Sequence, residues 1–481
     1  MQLQKDTRNI SMMMDFYEMT MANGYFNNGD EDKVAVFDVF FRKNPDGAGF
    51  SIFAGLEQVM EYMENFHFDP QDIEYFRERK LFSEEFLNYL KDYRFRGDIY
   101  AVPEGTIIYP NTPIVTVVAP LIDAQLIETA LLLQINHQSL IATKTNRIVR
   151  AAAGKAVSDF GARRAHNVDA AVYGARAAYI GGAVSTATVL AGQMFGIPVS
   201  GTMAHSWVMF YDSEFEAFKK YALNYPDTTV LLVDTYDVLR SGVPNAIRVA
   251  HEVLEPMGKR LKGIRLDSGD LAYLSKEARK MLDAAGLEDC TIAASNSLDE
   301  FTLRSLNNQG ARIDGFGVGE RLITSASNPV FGAVYKISAV KEGEVYEPKI
   351  KVSETPDKIT NPGLKKLYRV YNSDGMAIAD YITLAEETPD FEGRVEYVDG
   401  VASWRRGVYK NCSFKELQIP VFKAGKCVCV RPSIEEIRDY VKRQLETEIW
   451  IEEQRFENPH PHYYNLSPAL HELKMKMLSE Y

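Results

Sequence analysis

Residues 229–235 read TVLLVDT and residues 262–269 read KGIRLDSG. Each is a short apolar run that reaches an aspartate, and each is followed by a stretch with helical spacing. The pattern of short runs recurs in KAVSDFG (155–161), GIPVSGT (196–202), CTIAASN (290–296) and IDGFGVG (313–319). Short apolar strands alternating with helices imply βα units around a parallel sheet. Successive units of this kind without a GxGxxG opening favour a β/α barrel, complete or incomplete, over an open dinucleotide-binding sheet. The fold class is therefore α/β, with residues 135–338 forming the barrel.

The flanking regions read differently. Residues 1–134 mix both patterns, as an α+β domain. ISMMMDFYEMTMANGYF (10–26) has helical spacing with Ser11 or Asp15 as N-cap, and VAVFDVFFRK (34–43) reads as a strand. FSIFAGLEQVMEYMENF (50–66) is a strand running into a helix, and AVPEGTIIYPNTPIVTVVAP (101–120) resembles a β-meander. Residues 339–481 form a third region, hairpins followed by a charged helical tail from Ser433, expected to pack against both others. Ala177–Ala204 carries no charge, but Pro198 and its glycines divide it. It reads as a small-residue helix (178–196) and a buried strand, IPVSG (197–201), rather than a membrane span.

Composition narrows the class. The chain has 481 residues, a net charge of −12 and a pI near 5.3, which argues against a nucleic-acid or anionic-membrane binder. Four cysteines do not make a disulfide framework. Cys412, Cys427 and Cys429 lack zinc spacing, and period-2 spacing puts the last two on one strand face, a packing role. Lys5 and Arg8 begin like a leader, but Asp15 and Glu18 interrupt the Met-rich segment beyond them, so a cytoplasmic location is expected.

The chemistry gathers where the apolar runs end. There stand Asp159 with Arg163 and Arg164, Thr202 with His205, Asp234 with Asp237, Arg265 with Asp267 and Asp270, Ser295 with Asn296, and the glycines of GFGVG (315–319). In a β/α barrel these ends converge on the face that carries active sites. Between Lys144 and Arg176 there are seven Lys or Arg and two acidic residues, which suits an anionic ligand. The competing reading, a solvated basic helix face, fits Lys144, Arg147 and Arg150. GFGVG is a candidate phosphate loop. Asp234 and Asp267 are candidates for Mg²⁺ or sugar hydroxyls, while capping is assigned to Asp270 and left open for Asp237. Arg265 is either an ion pair with Asp267 or a clamp on a carboxylate or phosphate, the clamp being favoured.

With DFYEMTMANGYF, FFRKNPDGAGFSIFAGLE, DFGARRAH, GTMAHSWV, DTYD, RLDSGDL and GFGVGERL in order, the chain resembles the nicotinate phosphoribosyltransferases, of the type II phosphoribosyltransferase group. The resemblance implies that nicotinate and phosphoribosyl pyrophosphate give nicotinate mononucleotide and pyrophosphate, with ATP hydrolysis and Mg²⁺. It makes His205 the histidine phosphorylated by ATP and matches Tyr17, Thr202 and Arg265 to the nicotinate contacts. Arg163, Asp267, Gly317 and Gly319 match positions around the sugar phosphates, and Asp234 and Ser295 are placed with them. It also implies a homodimer in which Tyr17 acts across the interface.

The alternatives are a nicotinamide or quinolinate phosphoribosyltransferase, or a catalytically silent nucleotide-binding homologue. Related nicotinamide enzymes place an aspartate where GGAVS offers Ala183, and no acid occurs from Ala170 to Tyr211, which favours the carboxylate substrate. Quinolinate would call for more cations than Arg265 and ARRAH supply. A silent homologue would be expected to lack His205, Arg265 or Asp267. Glu320 stands where many relatives carry threonine and is left out of the site.

Overall fold

The structure is a computed structural model that describes residues 8–355 and 358–480, so Lys5 lies outside the described residues. Contacts divide the chain into two compact units: Ile141–Pro329, and a second built from the segments up to Leu140 and from Val330 onward.

The first unit carries six parallel strands: β1 (Ala156–Asp159), β2 (Ser185–Thr186), β3 (Val230–Leu232), β4 (Gly263–Leu266), β5 (Thr291–Ser295) and β6 (Gly315–Val318). Their order in the sheet is β2-β1-β6-β5-β4-β3. Read around the sheet, the strands keep chain order, and the last pairs with the first through Gly315↔Ala156 to Val318↔Asp159. The one missing ladder is between β2 and β3, so this is an incomplete β/α barrel. At that gap β2 meets only an isolated parallel bridge, Thr186↔Val199.

Buried Ile264, Leu266, Ile292, Ala294, Phe316 and Val318 give the strands their apolar character. Helices cover the sheet by the same economy. Leu271–Ala284 buries Leu271, Ala272, Ser275, Ala278 and Leu282, one face at helical spacing, and Asp270 caps it by accepting from the Tyr273 N–H at 3.0 Å. Asp237 is likewise a cap, accepting from the Leu239 and Arg240 N–H groups at 3.1 and 2.8 Å.

Three sequence expectations change here. The uncharged stretch is two helices, Val168–Ile180 and Val189–Phe195, with β2 between them. IPVSG contributes a bridge rather than a buried strand, since Val199 is 52% exposed. Lys144 and Arg147 are no solvated face: both are buried and paired with Glu300, at 2.8 and 3.1 Å. A helix-spaced basic series looks the same in sequence whether water or one buried carboxylate receives it.

In the second unit a seven-stranded antiparallel sheet joins the two ends of the chain. Val34–Phe40 pairs with both Val115–Pro120 and Val334–Glu342, and Asp98–Ala101 pairs with Ile419–Lys423. The expected meander over 101–120 is interrupted, because Ile107–Ile108 pairs instead with Ser51–Ile52. Asp15 caps the helix Phe16–Asn28 in a capping box with Glu18. A six-stranded sheet holds Lys365–Tyr371, Ala377–Leu384 and Tyr463–Leu466, and Ser433 caps the helix Ile434–Thr447. All four cysteines are free, and Cys427 and Cys429 pack against the apolar core. Cys429 lies beyond the two-residue strand Lys426–Cys427, so the shared strand face does not form.

Candidate active site

An open cavity of about 710 Å³ lies at the carboxyl ends of the barrel strands. Its lining includes Arg163, Thr202, His205, Arg265, Asp267, Ser295, Gly317 and Gly319, residues from five separate loops or strand ends. Arg164 and Arg321 add positive charge against the carboxylates of Asp267 and Glu320, so four arginines face two acids. A concave site with this balance attracts anions.

Each residue is held by its element. After β1 the chain enters the turn Ala162–Arg164, which leaves Arg163 exposed to the cavity. Asp159 itself is not free for chemistry. It is fully buried and accepts from the Gly161 N–H and the Thr186 hydroxyl, both at 2.8 Å, and burial raises its pKa. Gly317 is required sterically, because a Cβ there would overlap the Phe160 ring. Gly319 precedes the short helix Glu320–Ile323.

Arg265, on β4, donates to Thr202 Oγ1 at 2.7 Å and to the Met203 carbonyl at 3.0 Å. Its Nε is buried without a hydrogen-bond partner. Burial lowers its pKa, against the opposing pull of Asp267 and Asp234. Among the described residues the guanidinium is fixed by neutral oxygens, with donor capacity in reserve.

His205 opens the helix His205–Phe210, with Ala204 as N-cap. Its Nδ1 lies 3.0 Å from Thr235 Oγ1. Its Nε2 lies 3.8 Å from Asp267 Oδ2 and 4.0 Å from Asp234 Oδ1, with the histidine side chain 39% exposed. Asp234 Oδ2 accepts from the Asp267 N–H at 2.9 Å and the Ser268 hydroxyl at 2.6 Å, while its buried Oδ1 has no hydrogen-bond partner. Ser295 donates to Asp267 Oδ1. Thr235 and Ser268 were missed in the sequence; both adjoin a marked aspartate, which is the signal that would have found them.

Among the described residues, no three His, Cys, Asp or Glu side chains are disposed to hold a metal ion by themselves. The pair of carboxylates suits the other mode, in which Mg²⁺ is held by one or two carboxylates and completed by water and substrate phosphates. The unpartnered Oδ1 of Asp234 and the accessible Oδ2 of Asp267 fit that donor set.

Tyr17 does not line this cavity. It sits on Phe16–Asn28 in the other unit, 41% exposed, and burial followed by the charge of Glu128 raises its pKa. Among the described residues, no helix is long and apolar enough to cross a membrane.

Family models match along most of the chain. They are the nicotinate phosphoribosyltransferase N-terminal domain at residues 12–136, the nicotinate phosphoribosyltransferase family at 155–375 and the corresponding C-terminal domain at 364–474. A nicotinate phosphoribosyltransferase of Bacillus subtilis is 45% identical over 474 residues, covering 98% of this chain and 96% of its own. One from Mus musculus is 32% identical over 497 residues, covering 90% of each. The crystal structure of human nicotinic acid phosphoribosyltransferase superposes with a TM-score of 0.87 at 29% identity, over 97% of this chain and 100% of that one.

Proposed function

Because the chain belongs to the nicotinate phosphoribosyltransferase family, and is an enzyme of that activity in NAD biosynthesis, we propose a cycle in which His205 carries phosphate from ATP. Nicotinate and phosphoribosyl pyrophosphate are the substrates that this activity implies. The observation that carries the reading is the histidine's asymmetry: Nδ1 is tied to Thr235 while Nε2 looks onto two carboxylates beside an arginine-lined cavity.

With the Nδ1 proton donated to Thr235 Oγ1, the lone pair stands on Nε2. Attack there on the γ-phosphorus of ATP forms the N–P bond, breaks the β–γ bridging P–O bond and releases ADP; hydrolysis of the N–P bond returns the free histidine and inorganic phosphate. In the transfer itself, the ring nitrogen of nicotinate attacks the anomeric carbon as pyrophosphate departs. That nitrogen is already nucleophilic, so orientation is the need. Arg265, steadied by Thr202, clamps the nicotinate carboxylate; Tyr17 covers the ring from the partner in a homodimer. Arg163, Ser295 and the amides around Gly317 and Gly319 receive the sugar phosphates, whose charge grows on the leaving group. Asp234 and Asp267 would hold Mg²⁺, which supplies charge neutralisation for the phosphates when bound. The net charge of −12 and a cysteine content too low for a disulfide framework support a cytoplasmic enzyme.

Incubation with ATP labelled at the γ-phosphate tests the cycle. Acid-labile, alkali-stable label is expected on the enzyme and is expected to be absent from His205→Ala. Equal labelling of both proteins assigns the phosphate elsewhere and defeats the reading.

A further inference from the structure

A second cavity, of about 30 Å³, lies in the other unit, and the reaction uses none of its residues. Its polar lining includes Asp38, Ser338, Thr360 and three lysines, Lys336, Lys365 and Lys474. Lys365, with 2% of its side chain exposed, is paired with Asp38 Oδ2 at 2.8 Å, and Asp38 Oδ1 accepts from the Thr116 hydroxyl at 2.9 Å. That cation and that anion answer each other.

Two surplus cations remain: Lys336, which donates to the Tyr335 carbonyl at 2.7 Å, and Lys474. The Lys474 ammonium donates to a neutral oxygen, Asn361 Oδ1, at 2.8 Å, and makes no ion pair among the described residues. Burial first, and then repulsion from Lys365, push its pKa down to about 8. Two hydroxyls share the space. Ser338 Oγ is buried without a hydrogen-bond partner. Thr360 Oγ1 accepts from the Lys351 N–H at 3.0 Å, which leaves its own proton to give. A lysine with spare donors and two hydroxyls, with the sole lining carboxylate already paired, lack an acceptor.

We propose that this cavity is a binding site for a small oxyanion of the phosphate class, held by Lys474, Lys365, Ser338 and Thr360. The anion supplies the missing acceptor and balances the surplus charge by charge-assisted hydrogen bonds. The room exceeds the roughly 10–15 Å³ that one water requires. It falls far below the roughly 300 Å³ of a drug-sized ligand pocket, so the group it takes is small.

Thermal unfolding of the full chain at pH 7 tests the site, with phosphate, sulfate and chloride compared at matched ionic strength. A ligand of the folded state raises Tm in a saturable way. Phosphate and sulfate are expected to do so where chloride does not. Lys474→Met and Ser338→Ala are each expected to weaken the apparent phosphate affinity at least tenfold, with turnover of nicotinate within twofold of the parent. Ser338→Ala guards against misfolding of the lysine variant. A phosphate response unchanged in both variants assigns the anion to the catalytic cavity and overturns the proposal. So does a response that chloride reproduces, or no response, which leaves the cavity to water.

Discussion

Each unit of this protein sets one histidine between two carboxylates, and the two clusters serve opposite ends. His462 is buried, 1% exposed at its side chain, with Glu453 at 3.2 Å, Asp380 at 3.6 Å and the Tyr109 ring stacked on it. Arg369 pairs with Asp380 at 2.9 Å and Tyr109 donates to Glu453 at 2.6 Å, so both carboxylates are answered inside the cluster, while His462 Nε2 makes no hydrogen bond of its own. His205 is 39% exposed, its carboxylates stand back at 3.8 and 4.0 Å, and Asp234 keeps one buried oxygen unpartnered. A closed network holds a fold together, whereas an open one keeps interactions in reserve for a ligand.

The sharpest break between them is a pair of alanine substitutions. His205→Ala is expected to abolish ATP stimulation, leaving slow ATP-independent nucleotide formation, with Tm unchanged. Normal ATP stimulation in that variant removes His205 from the phosphoryl path. His462→Ala should do the reverse. It empties the buried space between Glu453 and Asp380 and removes the ring that both carboxylates face, at a cost of roughly 3 kcal/mol read in chemical denaturation, while per-molecule turnover of the folded fraction holds.

The pH dependence of stability separates them further. Burial alone would lower the pKa of His462, but Asp380 and Glu453 outweigh it and raise the value. Its contribution is therefore full below the unfolded value near 6.5 and is lost as pH rises through the raised folded value. Asp380 works from the other side. Arg369 and His462 overcome burial to hold its carboxyl down to about 2, so its share is present above about 3.9 and lost as pH falls through about 2. His462→Gln should flatten the alkaline fall in the denaturation midpoint. A fall as steep as the parent's places its origin outside this cluster.

A third effect is smaller and confined to the catalytic cavity. Arg265→Ala removes a guanidinium that neutral oxygens already orient. The expected loss is at least a hundredfold in kcat/KM for nicotinate, with Tm within a few degrees of the parent. A collapsed Tm instead makes Arg265 a structural tether.

How much of this contrast is legible in the sequence depends on how local each signal is. Strand ends announce themselves, because an apolar run that stops at Asp234 or Asp267 is a local pattern, and six such runs imply the barrel and its polar rim. Asp159 has the same local pattern and is buried beneath the cavity, since its partners Gly161 and Thr186 are set by the turn and by β2. The pairings of Lys144 and Arg147 with Glu300 are invisible for the same reason: a helix and a carboxylate about 150 residues apart share no sequence signal. The His462 cluster assembles from Tyr109, Arg369, Asp380 and Glu453, so nothing near PHPHYYN marks it.

Thr235→Val is the finest test of what distinguishes the two histidines. In the buried cluster a ring nitrogen already faces a carboxylate at 3.2 Å, and the shape of the core holds the ring. In the open cluster one hydroxyl, 3.0 Å from Nδ1, does that work. Valine keeps the shape and deletes the hydroxyl, so the ring loses its tautomeric bias while Asp234 and Asp267 stay in place. A net hydrogen bond of this kind is worth about 1 kcal/mol, which corresponds to a roughly fivefold fall in phosphorylation rate. The KM for nicotinate should hold, since Arg265 and Thr202 are untouched. Single-turnover labelling with ATP reads the first quantity and steady-state kinetics the second. A fall in nicotinate affinity with normal labelling would show that Thr235 shapes the pocket instead of the histidine.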